Sequence, residues 1–277
     1  MLPFNFDYYR PKTLTEAVEL FQYFQHQGKH PYFFSGGTEL ITLGRIDLSY
    51  ADVVIDIKEI AECKVMGYDG NYLVLGSTLT LTQIEEGNYY PLLSKTSSEI
   101  ADHTARGKIT LGGNICGQIF YREAVLPFLL ADSQMVIVGP EGVKVEYINA
   151  IFQQTLQLKG GEVLTQIATE KKYIDAPFIS IKRRQQWETG YPLITLAALK
   201  IDGEIRLAFS GLCPFPFRSS EVEGILNQTD VPAETRIMSA MDFLPQPILH
   251  DIEGSDKYRL FVLKNLLHEL LETFNSY

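Results

Sequence analysis

The sequence contains two short loops built on adjacent glycines, Ser35-Gly36-Gly37-Thr38-Glu39-Leu40 and Thr110-Leu111-Gly112-Gly113-Asn114. Each loop follows or abuts a segment with the pattern of a β-strand. Because glycine has no Cβ, successive backbone N–H groups can turn toward one concavity and hold phosphate oxygens. The side chains of Thr38, Thr110 and Asn114 add further hydrogen-bonding groups. The pattern favours an anion site, although adjacent glycines also form plain turns.

The more familiar nucleotide motifs are absent from the sequence. Gly112 and Gly117 have the spacing of a P-loop, but Gln118 and Ile119 stand where lysine and a hydroxyl residue must hold phosphate and magnesium. No Gly-x-Gly-x-x-Gly run follows a strand segment, so a Rossmann dinucleotide site is not supported either. Any phosphate site in this chain therefore has another design.

The sequence does not favour a metal site or a side-chain nucleophile. His26 and His30 have the spacing of a helical zinc pair, but we expect Gly28 to end the helix between them. The cysteines are odd in number and far apart, namely Cys63, Cys116 and Cys213. They are typical of reduced thiols and too few for an iron–sulfur cluster. We expect Cys116, inside the second loop, to pack as a buried small residue.

Composition excludes several classes of partner. A hydrophobic content of 45% with 21% charged residues is typical of a folded globular protein. The net charge of -10 argues against nucleic acid or an anionic membrane, both of which attract basic surfaces. The first residues lack a secretion signal, and no apolar run approaches the roughly 18 residues of a membrane span. We therefore expect a cytoplasmic protein.

Local patterns predict an α+β chain that opens with a helix and two strands. The capping box Thr13–Glu16 precedes an apolar stripe and predicts a helix that ends at Gly28. Strands are predicted at 32–34 and 53–57, on either side of the first glycine loop.

Later turns predict three hairpins, around Asp69-Gly70, Gly139–Gly142 and Asp202-Gly203. Further helices are predicted after capping boxes at Thr82–Glu85 and Ser220–Glu223, over the apolar residues 126–131, and along a leucine stripe from Leu263 to Phe274. A length of 277 residues suits two or three lobes. We place a boundary near Lys159-Gly160-Gly161 because a hairpin followed by helices suggests a separate lobe after it.

Charged residues near the loops are candidate ligand groups. Arg106 and Lys108 precede the second loop and favour a negative ligand there. The basic run Lys182-Arg183-Arg184 can steer an anion, although such runs are more often solvated. Glu123 can accept a hydrogen bond from a ribose or ribityl hydroxyl, or it is an ordinary surface acid.

The order of the sequence segments along the chain resembles that in the FAD-binding subunit or domain of molybdenum hydroxylases such as xanthine dehydrogenase and carbon monoxide dehydrogenase. The matching segments run through most of the chain: residues 9–20, the loop 35–40, Ile55-Asp56-Ile57, Leu75-Gly76-Ser77-Thr78, Thr104 to Asn114, 194–209, Pro216-x-Arg218 and Tyr258-Arg259. Each segment alone is weak, and the ordered set is specific. The resemblance implies that both glycine loops hold the FAD pyrophosphate.

The resemblance also assigns the individual site residues. Glu123 takes the place of a family aspartate at the flavin polyol, within Tyr121-Arg122-Glu123, where the family usually has a Ser-Pro-containing run. Lys182 or Arg183 corresponds to a basic residue that the family has near the flavin ring. The implied cofactor-binding set is Phe33, Phe34, Ser35, Gly36, Gly37, Thr38, Glu39, Leu40, Thr110, Gly112, Gly113, Asn114, Gly117, Glu123 and Lys182.

The family fold implies a two-lobed FAD-binding domain of the PCMH type, similar to vanillyl-alcohol-oxidase flavoproteins. It spans residues 1–160, with lobes of about 1–57 and 58–160. A C-terminal α+β domain at 161–277 follows, with a three-stranded antiparallel sheet and helices.

The implied function is electron relay by FAD within a complex. A molybdenum-cofactor large subunit and a 2Fe–2S small subunit are the implied partners, and NAD+ or another molecule accepts the electrons. The protein orients and tunes the flavin, and no side chain has to act as an acid or base. Two alternatives stay open: a stand-alone flavin oxidoreductase, and a non-catalytic homologue that has lost FAD because residues 121–123 crowd the flavin.

Overall fold

The computed structural model describes residues 4–185 and 190–275 and shows an α+β chain of three sheet-based lobes. Its helices are α1 Leu14–His26, α2 Thr38–Arg45, α3 Leu81–Gly87, α4 Pro91–Ser98, α5 His103–Arg106, α6 Leu111–Cys116, α7 Leu126–Leu130, α8 Ile148–Ile151, α9 Lys171–Ile174, α10 Ser220–Leu226, α11 Ala233–Met241 and α12 Asp256–Asn275. Its strands are β1 Asp7–Tyr9, β2 Pro31–Phe34, β3 Val53–Asp56, β4 Met66–Asp69, β5 Tyr72–Gly76, β6 Gln134–Gly139, β7 Gly142–Tyr147, β8 Phe152–Gln153, β9 Thr155–Leu156, β10 Val163–Glu170, β11 Phe178–Arg183, β12 Ile194–Ile201, β13 Glu204–Ser210 and β14 Phe217–Arg218.

The first lobe is a three-stranded parallel sheet, in the order β1-β3-β2, with α1 packed on it. The Thr13 side chain caps α1 by accepting from the Glu16 N–H. The Glu16 carboxylate accepts from the N–H of Lys12, one residue before the donor that a capping box uses. The helix ends at His26, and Gly28 follows in a left-handed conformation with φ of 74°.

The second lobe is a five-stranded antiparallel sheet in the order β4-β5-β10-β6-β7. Two predicted hairpins, β4-β5 and β6-β7, form its outer pairs, and β10 lies between them. The boundary predicted near Gly160-Gly161 is therefore wrong, because it would separate the central strand from its sheet. The chain leaves this sheet only after Glu170.

Two predicted helix starts lie in the wrong place. The cap of α3 is Thr80 rather than Thr82, and it forms a complete capping box with Gln83. The cap of α10 is Ser219 rather than Ser220, with its hydroxyl accepting from the Val222 N–H. In each case a nearby hydroxyl residue offered a competing cap with the same local pattern.

The third lobe contains the predicted hairpin β12-β13 in an antiparallel sheet, and β11 and the two-residue β14 flank the hairpin, which gives four strands where the resemblance implied three. The predicted apolar stripe of α12 is buried against this sheet, from Leu263 to Phe274. No helix within residues 4–185 and 190–275 combines the length and apolar character that crossing a bilayer requires.

Arg259, in α12, is fully buried and joins three parts of the third lobe. Its guanidinium donates to the carbonyl oxygens of Leu193 and Gly211 and forms an ion pair with Asp251 at 2.5 Å. Asp251 in turn accepts from the Tyr121 hydroxyl at 3.0 Å. This network therefore connects α12 with the chain just beyond the second glycine loop.

We expect Arg259→Met to destabilise the protein by about 3 kcal/mol, because it leaves buried carbonyl oxygens and a carboxylate without their donor. Urea denaturation measures the change. Arg183→Met is the matched control, since Arg183 forms an exposed ion pair with Glu269 and its loss should cost less than about 1 kcal/mol. Equal losses in both variants would contradict a central role for Arg259.

Candidate functional site

A cavity of about 1320 Å³ opens between the three lobes. Every residue in the sequence-predicted cofactor set lines it, including both glycine loops, Glu123 and Lys182. The first loop comes from the end of β2, the second from α6, and Lys182 from β11. The fold thus brings together residues that are up to 149 positions apart in the chain, counted from Phe33 to Lys182.

The first loop presents an uncapped helix N-terminus to the cavity. Gly37 is the N-cap residue of α2, in a left-handed conformation with φ of 69°, and no side chain caps the helix. Among the described residues, no acceptor pairs with the N–H groups of residues 37–40. The buried hydroxyl of Ser35 also lacks a hydrogen-bond partner. Unpaired amides at the positive end of a helix form an anion site.

The glycines of the first loop are required mainly by contacts within the protein. A Cβ on Gly36 would overlap the carbonyl oxygen of Lys108, and a Cβ on Gly37 would overlap the ring of Phe34. The absence of a Cβ on Gly36 lets the first loop approach the chain at Lys108 and Thr110 closely. The sequence had suggested a different reason for these glycines, namely that they let backbone N–H groups turn toward a phosphate.

The second loop is hydrogen-bonded to the second lobe, so fewer of its backbone N–H groups are available to a ligand. The N–H groups of Leu111 and Gly112 donate to the carbonyl oxygens of Leu79 and Ser77, both at 2.8 Å. In the described part of the chain only Gly113 keeps an unpaired N–H in the first turn of α6. A Cβ on Gly113 would meet only the Thr110 hydroxyl oxygen, at 2.8 Å. Gly113 is therefore the glycine of this loop that faces open cavity.

The side chains of Glu39 and Asn114 accept hydrogen bonds from backbone N–H groups beyond the second loop. The Glu39 carboxylate accepts from the N–H groups of Gln118 and Ile119 at 2.7 and 3.2 Å. The Asn114 side-chain oxygen accepts from the Ala124 N–H at 3.2 Å. The carboxylate of Glu39 lies at the cavity wall but is used to join the two loops. The backbone N–H of Glu39 has no acceptor among the described residues, so the predicted contact of Glu39 with the cofactor stays a prediction for its amide rather than its carboxylate.

Glu123 and Lys182 form a buried ion pair at 2.5 Å in the cavity wall. Their side chains are 4% and 2% exposed. Lys182 also donates to the Glu99 carbonyl oxygen at 2.7 Å, and the Thr195 hydroxyl lies 3.4 Å from Glu123. The two charges were predicted separately as contacts to a ligand, and the structure joins them. Their formal charges cancel, and their attraction offsets part of the cost of removing both groups from water.

The other basic candidates do not line the cavity. Arg106 pairs with Glu85 at 2.9 Å and donates to two carbonyl oxygens, while Lys108 is exposed outside the cavity. Arg183 pairs with Glu269, and Arg184 donates to the Glu99 carbonyl oxygen at 2.8 Å. The side chains of Arg106 and Lys108 therefore do not themselves reach the cavity, and the negative ligand expected at the second loop stays a prediction.

Cys116 was predicted as buried packing, but its side chain is exposed to the cavity. The surrounding protein walls desolvate the sulfur and raise the pKa of the Cys116 thiol to about 12. The group therefore remains a thiol near neutral pH and is a poor nucleophile. No cluster of metal-ligating side chains occurs among residues 4–185 and 190–275, and His26 and His30 belong to none.

Two aromatic residues that line the cavity, Phe21 and Tyr191, were not among the predicted site residues. Phe21 stacks on Phe33 with ring centroids 4.8 Å apart, and Tyr191 stacks on Tyr121 with ring centroids 4.4 Å apart. The turn at 159–161 also lines the cavity. Its adjacent glycines were the one available signal, and they were interpreted as a domain boundary.

The family model described as "FAD binding domain in molybdopterin dehydrogenase" matches residues 4–169. A xanthine dehydrogenase FAD-binding subunit from Escherichia coli O157:H7 is 25% identical to this chain, covering 95% of it and 94% of the relative. The carbon monoxide dehydrogenase medium chain of Afipia carboxidovorans is 25% identical over 60% of this chain and 59% of the relative.

Solved structures share the fold. The carbon monoxide dehydrogenase of Hydrogenophaga pseudoflava has a chain that matches with a TM-score of 0.85 at 20% identity, covering 96% of both chains. Quinoline 2-oxidoreductase from Pseudomonas putida 86 matches with the same TM-score and identity, covering 100% of this chain and 99% of the other. With a family model matching more than half of its length, the chain belongs to the FAD-binding domains of molybdopterin dehydrogenases and is the flavin-binding part of an oxidoreductase.

Proposed function

We propose that this chain is the flavin subunit of a xanthine dehydrogenase-like molybdenum hydroxylase. It works with a molybdenum-cofactor large subunit and a 2Fe–2S small subunit, and electrons leave the complex to NAD+ or another acceptor. The near full-length similarity to a protein named as a xanthine dehydrogenase FAD-binding subunit supports this assignment. The observation that carries it is the uncapped N-terminus of α2, whose unpaired amides face the cavity.

The described residues fit FAD in their chemistry. The amides of residues 37–40, the Ser35 hydroxyl and the Gly113 N–H would hold the pyrophosphate, because each is a donor without a protein acceptor or a hydroxyl without a partner. Two stacked aromatic pairs, Phe21 with Phe33 and Tyr121 with Tyr191, also line the cavity. Their rings suit a ligand that carries aromatic ring systems as well as phosphates. When bound, FAD supplies the exchange between one-electron and two-electron redox chemistry.

The cavity walls support electron relay rather than a substrate reaction of their own. No histidine is among the described residues that line the cavity. Each carboxylate in the wall already has a protein partner: Glu39 with amides, Asp102 with the Ala105 N–H, Glu123 with Lys182, and Glu162 with Lys144. A stand-alone oxidase needs a positioned base for its substrate, and these groups are engaged.

The loss of FAD through crowding by residues 121–123 is not favoured by the geometry. The Arg122 guanidinium donates to the carbonyl oxygens of Gly117 and Gln154, so it is turned into the protein. The Tyr121 hydroxyl bonds to Asp251, and Glu123 pairs with Lys182. These bulky groups all have structural partners, and a large cavity remains beside them.

We expect Gly113→Val to weaken FAD binding by about 10-fold or more while leaving the protein folded, because its side chain enters open cavity beside an unpaired amide. Gly36→Val should lose both flavin and thermal stability, since its Cβ overlaps the Lys108 backbone. Flavin released from purified protein, together with thermal unfolding, separates the two effects. Gly224→Val, at a site with open space around it, is the control. Full flavin content in Gly113→Val would exclude the second loop from the pyrophosphate site.

We expect the isolated, FAD-loaded chain to be reduced faster by NADH than by purines, because the substrate of the complex binds on the molybdenum subunit in this proposal. Stopped-flow absorbance of the flavin measures both rates. Native purification should recover molybdenum and iron–sulfur subunits with the chain. Rapid purine oxidation by the isolated chain would overturn the subunit assignment and favour a stand-alone flavin enzyme.

A further inference from the structure

Strand β7 is the outer strand of the five-stranded sheet, and its far edge has no neighbouring strand within the described ranges. Just beyond it, the Ile148 N–H donates to the Ser133 carbonyl oxygen at 2.9 Å. Hydrogen bonding alternates along an antiparallel strand, so the even-numbered residues of β7 bond to β6. The backbone groups of Val143, Val145 and Tyr147 therefore point away from the sheet, and in the described chain they have no partner.

The same three residues carry exposed apolar side chains. Val143, Val145 and Tyr147 are 69%, 54% and 54% exposed. Edge strands of soluble proteins are usually protected by a bulge, a proline or charged side chains, including charges that point inward. Strand β7 has neither a bulge nor a proline, and its pairing with β6 is regular over all six residues. Its two charged residues, Lys144 and Glu146, have opposite signs, so a strand with the complementary order of charges can pair with this edge.

We propose that β7 pairs in antiparallel fashion with β7 of a second copy of this chain, about a two-fold axis at Val145. In this register Val145 lies opposite Val145 of the second copy, and Val143 lies opposite Tyr147. The outward backbone groups of both strands then form hydrogen-bonded pairs, and two five-stranded sheets become one sheet of ten strands.

Charge selects this register. It places Lys144 opposite Glu146 of the second copy, and the two-fold axis repeats the pair. The two neighbouring registers that keep the same hydrogen-bonding pattern are less favourable. One of them places Lys144 opposite Lys144 of the second copy, and the other places Glu146 opposite Glu146 of the second copy. Lys144 already bonds Glu162 at 2.8 Å, whereas Glu146 has no ion pair among residues 4–185 and 190–275. Glu146 is therefore the group that gains a partner on pairing.

The contact is small, so we expect a weak dimer with a dissociation constant on the order of micromolar. A pair of single variants tests the register. Glu146→Lys places like positive charges opposite each other in the dimer, and Lys144→Glu places like negative charges there. Each variant alone should dimerise about 10-fold less well than the unmodified chain, because two repulsive pairs replace two attractive ones. An equal mixture of the two variants is complementary at both pairs and should recover the dimer.

The experiment uses the full-length, FAD-loaded chain and measures mass against concentration by analytical ultracentrifugation. Lys172→Glu makes the same charge change elsewhere on the surface and should leave the dimer unchanged. Thermal unfolding shows whether Lys144→Glu remains folded after losing Glu162, and Glu146→Lys does not remove that pair. An unmodified chain that stays monomeric at all concentrations overturns the proposal. So does a mixture that dimerises no better than its separate components.

Discussion

The close approach of Gly36 to the backbone of Lys108 is the constraint on which the site depends. The first glycine loop belongs to the parallel sheet and the second to the antiparallel sheet, so their contact sets the separation of the two lobes. The Glu39 carboxylate, bonded to two amides beyond the second loop, strengthens the same junction. With the loops held by protein contacts, the amides at the start of α2 remain available for an anion.

The third lobe packs on the second through apolar residues of β12 and β13, among them Ala197, Leu199 and Ala208, and buried polar groups attach it beside the loops. Lys182 pairs with Glu123, and Tyr121 bonds to the Asp251 carboxylate that Arg259 also holds. Buried charges are tolerated here because each has a partner and further hydrogen bonds. Their directional contacts place the third lobe against the cavity, and they also engage the side chains that would otherwise serve as acids or bases. The cavity therefore suits binding and electrostatic tuning of a redox cofactor.

Most secondary structure could be predicted because its signals are local. The turns at Asp69-Gly70 and Asp202-Gly203 specify hairpins from adjacent residues, and the stripe from Leu263 to Phe274 specifies one buried helix face. The boundary at Gly160-Gly161 was predicted wrongly because the pairing that contradicts it is long-range. Strand β10 joins β5 and β6 through pairings with residues 72–76 and 134–138, and no local pattern contains such long-range partners.

By itself, the sequence determined the family, most of the elements, and the two glycine loops with Glu123 and Lys182 in the cavity wall, because motif order and local periodicity are properties of the chain alone. Only the tertiary structure decided what each of those residues does. Gly36 and Glu39 join the loops, Gly113 faces open space, and Glu123 neutralises Lys182. These roles depend on contacts between residues far apart in the sequence. The sequence specifies the charge and size of each side chain, but the packing of the lobes determines which group that side chain contacts.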